Sequence, residues 1–211
     1  HYARALQFDA LRFRADSSIN AIIRDVVRHS AAENVRLVDA EEEFSKASPQ
    51  GIPGSNLFHE HVHMNFSGNY LLAKAFFEKI EDVLPESIRS TKIDDVPLAT
   101  EQECAQDLLF FEHEKHQLAD RFYKKFEREA PFTNQIYNAE HLQGQVREMR
   151  RIAQIVTPST MASLDSTYRE AIEDNQGDWW LRWKYADYLV KSRRVNEAMQ
   201  QLRAVLEIVP N

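Results

Sequence analysis

Apolar positions recur at helical spacing along most of the chain. Over residues 17–29, Ile19, Ile22, Ile23, Val26 and Val27 fall on one face, and Ser17 or Ser18 supplies a hydroxyl to cap the start. A second amphipathic helix is predicted over Ser67–Val83, with Leu71, Leu72, Ala75, Phe76, Ile80 and Val83 as its buried stripe and Pro85 ending it. Thr100–Glu129 reads as one long helix with Leu108, Leu109, Phe111 and Phe122 as buried positions, broken by Pro131. Ala139–Val156 follows, carried by Leu142, Val146, Met149, Ile152 and Val156, before Pro158. The β-branched run Val35-Arg36-Leu37-Val38-Asp39 reads as a buried parallel strand. Glu41–Ser45 allows one helical turn, and residues 48–55 are a Pro/Gly-rich loop. Beyond about Leu98 no strand pattern returns, so the chain is expected to be mainly α with one or two strands at most.

A single parallel strand cannot satisfy its own backbone hydrogen bonds. The chain also opens at His1, in a stretch (His1–Phe8) that reads as the middle of an element. Together these lead to the expectation of a piece of a longer protein, in which a signal or anchor could precede His1. The Ile19/Ile23/Val27 and Leu72/Phe76 faces would then lack the sheet they cover, and homodimerisation or pairing with a separate N-terminal fragment is expected.

Composition narrows this picture. Of the 211 residues, 43% are hydrophobic and 28% charged, an ordinary globular balance, and only 5 glycines argue for helices over a sandwich or barrel. A net charge of −7 disfavours nucleic acid and anionic membrane surfaces as partners. No apolar run approaches a membrane span, and no signal peptide is visible. Cys104 is the single cysteine, which excludes an intrachain disulfide framework and a cysteine-based zinc site and fits a reducing, cytoplasmic-type compartment. No cofactor is expected.

Catalytic-type side chains are densest at His59-Glu60-His61-Val62-His63. The stretch matches H-E-x-x-H, which on a helix sets two zinc ligands one turn apart with a glutamate base. Here Pro53-Gly54 and Ser67-Gly68 flank it and no third histidine follows at the required spacing, so no metal site is assigned. The plain alternative is three loop histidines beside a solvated glutamate.

The longer stretch Asp39…Gly51-Ile52-Pro53-Gly54…Leu57-Phe58-His59-Glu60-His61-Val62-His63-Met64-Asn65-Phe66-Ser67-Gly68-Asn69-Tyr70-Leu71-Leu72-Ala73 resembles the last conserved block of SGNH (GDSL-like) hydrolases, which carries Asp-x-x-His before the final helix. Upstream, Leu11–Asp16 and Ile19–Ile23 are similar to bacterial members that bear helical repeats. The resemblance covers residues 1–85. It implies the remnant of a three-layer α/β domain, with His63 as general base and Glu60 as its orienting acid, one methylene longer than the usual Asp. The family's Gly-Asp-Ser-type nucleophile block, oxyanion glycine and Asn block have no match. Ser55, in Pro53-Gly54-Ser55-Asn56, has no preceding strand and is not assigned as nucleophile.

Residues 86–160 read as a helical connecting region and 161–211 as a tetratricopeptide-like segment. In Trp179–Asn211 the repeat pattern is met by Tyr185, Ala186 and Leu189 on the first helix, Ala198, Leu202 and Val205 on the second, and Pro210 at its end. Arg182 stands at the usual tryptophan position and Arg193 at the turn glycine, while Leu164, Tyr168 and Ala171 fit a preceding half-repeat. Trp179, Trp180 and Trp183 are expected to pack rather than to cage a ligand. Two functions are therefore expected in competition: an SGNH-type ester or acyl hydrolase of unknown substrate, inactive without its nucleophile block, or a non-enzymatic module that binds a protein through its helical repeats.

Overall fold

The computed structural model describes residues 17–30, 35–92 and 96–209, so the upstream resemblance over Leu11–Asp16, the segment His1–Phe8 and Pro210 lie outside the described residues. Among the described residues ten α-helices follow in order: α1 Ser17–Arg28, α2 Ala40–Lys46, α3 Phe66–Glu81, α4 Glu86–Arg89, α5 Glu101–Asp107, α6 Glu112–Arg128, α7 Asn138–Ala153, α8 Pro158–Asp174, α9 Trp179–Lys191 and α10 Val195–Ile208. The mainly helical expectation holds. The chain divides into two compact units, one up to Cys104 and one from Ala105.

The expected strand at Val35–Asp39 does not form, and no strand is present among the described residues. The physical reason is the one its isolation implies: among the described residues no second strand stands for it to pair with. Asp39 instead ends the run as the N-cap of α2, accepting from the Glu42 amide at 3.2 Å. Its carboxylate is also gripped by Arg24 of α1 through two bonds, 2.5 Å and 2.8 Å. The Arg24 guanidinium beside Asp39 holds that carboxyl below its ordinary range. Arg24 and Asn20 further reach Glu41 at 2.7 Å and 3.0 Å. The polar side of α1 is thus the tethered side, and its apolar residues Ile19, Ile22, Ile23 and Val26 are exposed.

Helix α3 begins where Asn65 accepts from the Gly68 amide at 3.0 Å. It also anchors the loop ahead of it, Asn65 Nδ2 donating to the Ser55 carbonyl at 3.1 Å. Farther along, the expected buried stripe does not hold: Phe76, Ile80 and Val83 are exposed. The helix buries its first turn on the loop, and the residues that would cover a sheet have none to cover.

The expected single helix over Thr100–Glu129 is broken in two. Leu109 adopts a left-handed conformation (φ 49°), its amide donates to Gln106 at 2.9 Å, and the Phe110 amide donates to Ala105 at 2.7 Å. That is a Schellman stop with leucine where glycine is usual. The strain is offset by burial, since Leu109 is 4% exposed in the main core with Leu164, Tyr168, Leu181, Tyr185 and Leu189. Leu108, expected to be buried, is exposed. A smaller core joins Phe122 and Phe126 of α6 to Phe132, with Leu142 of α7 packed against it.

The α9–α10 hairpin turns on a second Schellman motif, with Arg193 at φ 60°, its amide on Val190 at 3.0 Å and the Arg194 amide on Leu189 at 2.8 Å. A left-handed arginine costs about 1 kcal/mol that glycine would not. Arg193→Gly is therefore expected to raise the unfolding midpoint of the C-terminal unit by a few degrees, measured by tryptophan fluorescence. An unchanged or lowered midpoint would contradict this. Helix α8 covers one side of the hairpin: Asp165 accepts from Tyr185 Oη at 2.7 Å and Arg194 at 2.6 Å, and Arg169 reaches Glu197 at 3.1 Å. Tyr168 and Tyr185 stack at 5.3 Å, and no described helix is long and apolar enough to cross a membrane.

Candidate functional site

The Pro/Gly loop brings the chain to Leu57, where it closes a narrow hairpin. Phe58 and Met64 form an antiparallel bridge, the His59 amide donates to the His63 carbonyl at 2.8 Å, and the Asn65 amide donates to the Leu57 carbonyl at 2.9 Å. Helix α3 packs on the base of this hairpin through Gly68. A Cβ there would stand 2.3 Å from the Leu57 carbonyl oxygen and 3.2 Å from Met64 Cβ, so only glycine permits the approach. Phe44 of α2 lies against Phe58, ring centres 5.5 Å apart, and closes the other side.

Residues 59–63 thereby form a bend and not a helix, which removes the one-turn spacing that H-E-x-x-H needs. Glu60 folds into the concavity, with its side chain 3% exposed. Its Oε2 accepts from the Val62 amide at 3.0 Å and its Oε1 from the His63 amide at 3.1 Å. The same oxygens meet two imidazoles: His63 Nδ1 on Oε1, and His61 Nδ1 on Oε2 at 2.7 Å. Burial pushes the Glu60 carboxyl up, but the bonds from the His63 ring and the two amides, with the charge of His61, outweigh it and hold the group below its ordinary range. The His63 side chain is 60% exposed, so a sunken carboxylate holds a surface imidazole by one nitrogen. His59 sits deeper, and burial lowers its pKa, opposed by the charge of Glu60.

The structure thus brings together Glu60 and His63, the two residues singled out from the sequence. It adds His61, which the sequence reading passed over. The only available signal was its position next to Glu60, since a carboxylate has two oxygens and can hold two rings. Among the described residues no group of three or more His, Cys, Asp or Glu is arranged to hold a metal ion.

The tryptophans of α9 pack at the surface and against one another. Trp179, Trp180 and Trp183 are 43%, 47% and 45% exposed, so they are not core. They pack on each other, Trp180 and Trp183 stacked at 5.0 Å and Trp179 edge-on to Trp180 at 5.6 Å. The periodicity that buries Leu181, Tyr185 and Leu189 turns the three indoles to the opposite face. Comparison with protein-family models, with curated proteins and with solved structures found no match for this chain.

Proposed function

We propose that Glu60 and His63 are the acid and base of an SGNH-type ester or acyl hydrolase site. The observation that carries this reading is the buried Glu60 carboxylate on His63 Nδ1 of an exposed ring, one turn ahead of a helix. A carboxylate on Nδ1 favours the tautomer with its proton there and leaves the basic lone pair on Nε2, the nitrogen that takes a serine proton in such a triad. The low-lying Glu60 carboxyl keeps its charge near neutral pH and would stabilise the imidazolium once formed.

The family's nucleophile and oxyanion motifs have no counterpart in the sequence, so this chain by itself is expected to hydrolyse p-nitrophenyl acetate no faster than buffer. Turnover well above buffer that vanishes in His63→Ala would mean that a nucleophile lies within the chain and would overturn that assignment. A second reading, a protein-interaction module built on the tetratricopeptide-like helices, is favoured by the exposed tryptophans of α9.

A further inference from the structure

We propose that His61 is a positioning residue of this site, acting through Glu60 to fix the ring of His63, a role that rests on the hydrolase reading of the pair. A carboxylate has two oxygens and room for about four donors. Four meet Glu60. Oε1 takes the His63 amide at 3.1 Å together with His63 Nδ1. Oε2 takes the Val62 amide at 3.0 Å and stands 2.7 Å from His61 Nδ1, at hydrogen-bonding distance. The two oxygens are thus matched, each with one amide and one imidazole, and the capacity of the carboxylate is filled.

The matching decides where His63 goes. With His61 on Oε2, only Oε1 is open to the His63 ring. Without it, Oε2 keeps an unfilled lone pair on a side chain that is 3% exposed, and a buried acceptor short of a donor is costly. The His63 ring is 60% exposed, so swinging toward Oε2 sacrifices little packing, and its bond to Oε1 loses alignment. His61 also acts through charge. Burial pushes the Glu60 carboxyl up, and the charge of His61 is among the effects that bring it down. The exposures suit this division of roles. The His61 side chain, at 31%, is about half as exposed as that of His63, so the deeper ring steadies the acid while the outer ring faces solvent and substrate.

The test reads the neutral His63 ring in the full chain by long-range proton–nitrogen correlation. His61→Ala is expected to lower the ratio of the Nδ1–H to the Nε2–H tautomer of His63 about fivefold, the worth of roughly one hydrogen bond. His61→Asn keeps an N–H donor close to where Nδ1 stood and is expected to restore the ratio. Both variants are expected to keep the wild-type circular dichroism, which separates positioning from unfolding. An unchanged ratio in His61→Ala, as a water filling the gap would give, overturns the role of His61. So does a His61→Asn variant that behaves as the alanine variant does. Either result leaves the Glu60–His63 pair standing. A wild-type His63 in the Nε2–H form defeats the pair itself, and the role of His61 with it.

Discussion

Glu114→Ala is expected to destabilise the C-terminal unit by about 4 kcal/mol. Glu114 does three things at once. Its Oε2 accepts from the Phe111 amide at 3.1 Å and so caps α6. Its Oε1 accepts from Tyr168 Oη at 2.5 Å, a hydroxyl on a residue with no solvent exposure. It also stands 3.8 Å from Lys184 Nζ, with both side chains under one fifth exposed. Lys184 in turn donates to the Leu108 and Leu109 carbonyls at 2.6 Å and 2.8 Å, the end of α5 that Leu109 terminates. Alanine would leave a buried hydroxyl unsatisfied and a buried ammonium without its counter-charge. Burial already lowers the Lys184 pKa, with Glu114 opposing it, so that charge is the vulnerable partner. Glu114→Gln retains one accepting oxygen, enough for the Phe111 amide or the Tyr168 hydroxyl but not both, and is expected to lose roughly half as much. All three tryptophans lie in this unit, so their fluorescence in urea follows its unfolding. A loss under about 1 kcal/mol for Glu114→Ala would show that the cluster is ornamental to stability.

Gly68→Ala is expected to cost the N-terminal unit about 3 kcal/mol. The added methyl would meet the Leu57 carbonyl at 2.3 Å, and that carbonyl is fixed by the Asn65 amide at 2.9 Å. No side chain can rotate away, so α3 must lift off the hairpin. That movement would also pull at Asn65, whose side chain caps α3 and holds Ser55. Hydrogen exchange at the Asn65 amide should accelerate by about two orders of magnitude, the equivalent of the lost stability. Unchanged protection of that amide would contradict the close approach.

Most helices were legible because their apolar positions repeat at helical spacing, and Pro85, Pro131 and Pro158 mark boundaries that the structure respects. What was not legible concerns partners. Val35–Asp39 has the side chains of a strand, yet a strand exists only when another backbone pairs with it. The outward residues of α3 look like core because amphipathic spacing reveals that a face is apolar, not what covers it. The break at Leu109 was hidden because leucine gives no local warning of a left-handed turn, and its reason lies in Lys184, distant in sequence. At the candidate site, the pair was legible from the Glu-x-x-His spacing and its place before a helix. The sinking of Glu60 into a bend depends on Gly68, Phe44 and the bridge at Phe58, which spacing alone does not encode.

In the proposed site Glu60 sets the tautomer of His63 so that Nε2 is the base. Long-range proton–nitrogen correlation spectra of the ¹⁵N-labelled chain test it directly, recorded where the ring is neutral and with His63 assigned by its disappearance in His63→Ala. The wild type is expected to show the Nδ1–H tautomer, and Glu60→Ala to revert to the Nε2–H form that imidazole prefers in water. A wild-type His63 in the Nε2–H form would contradict it.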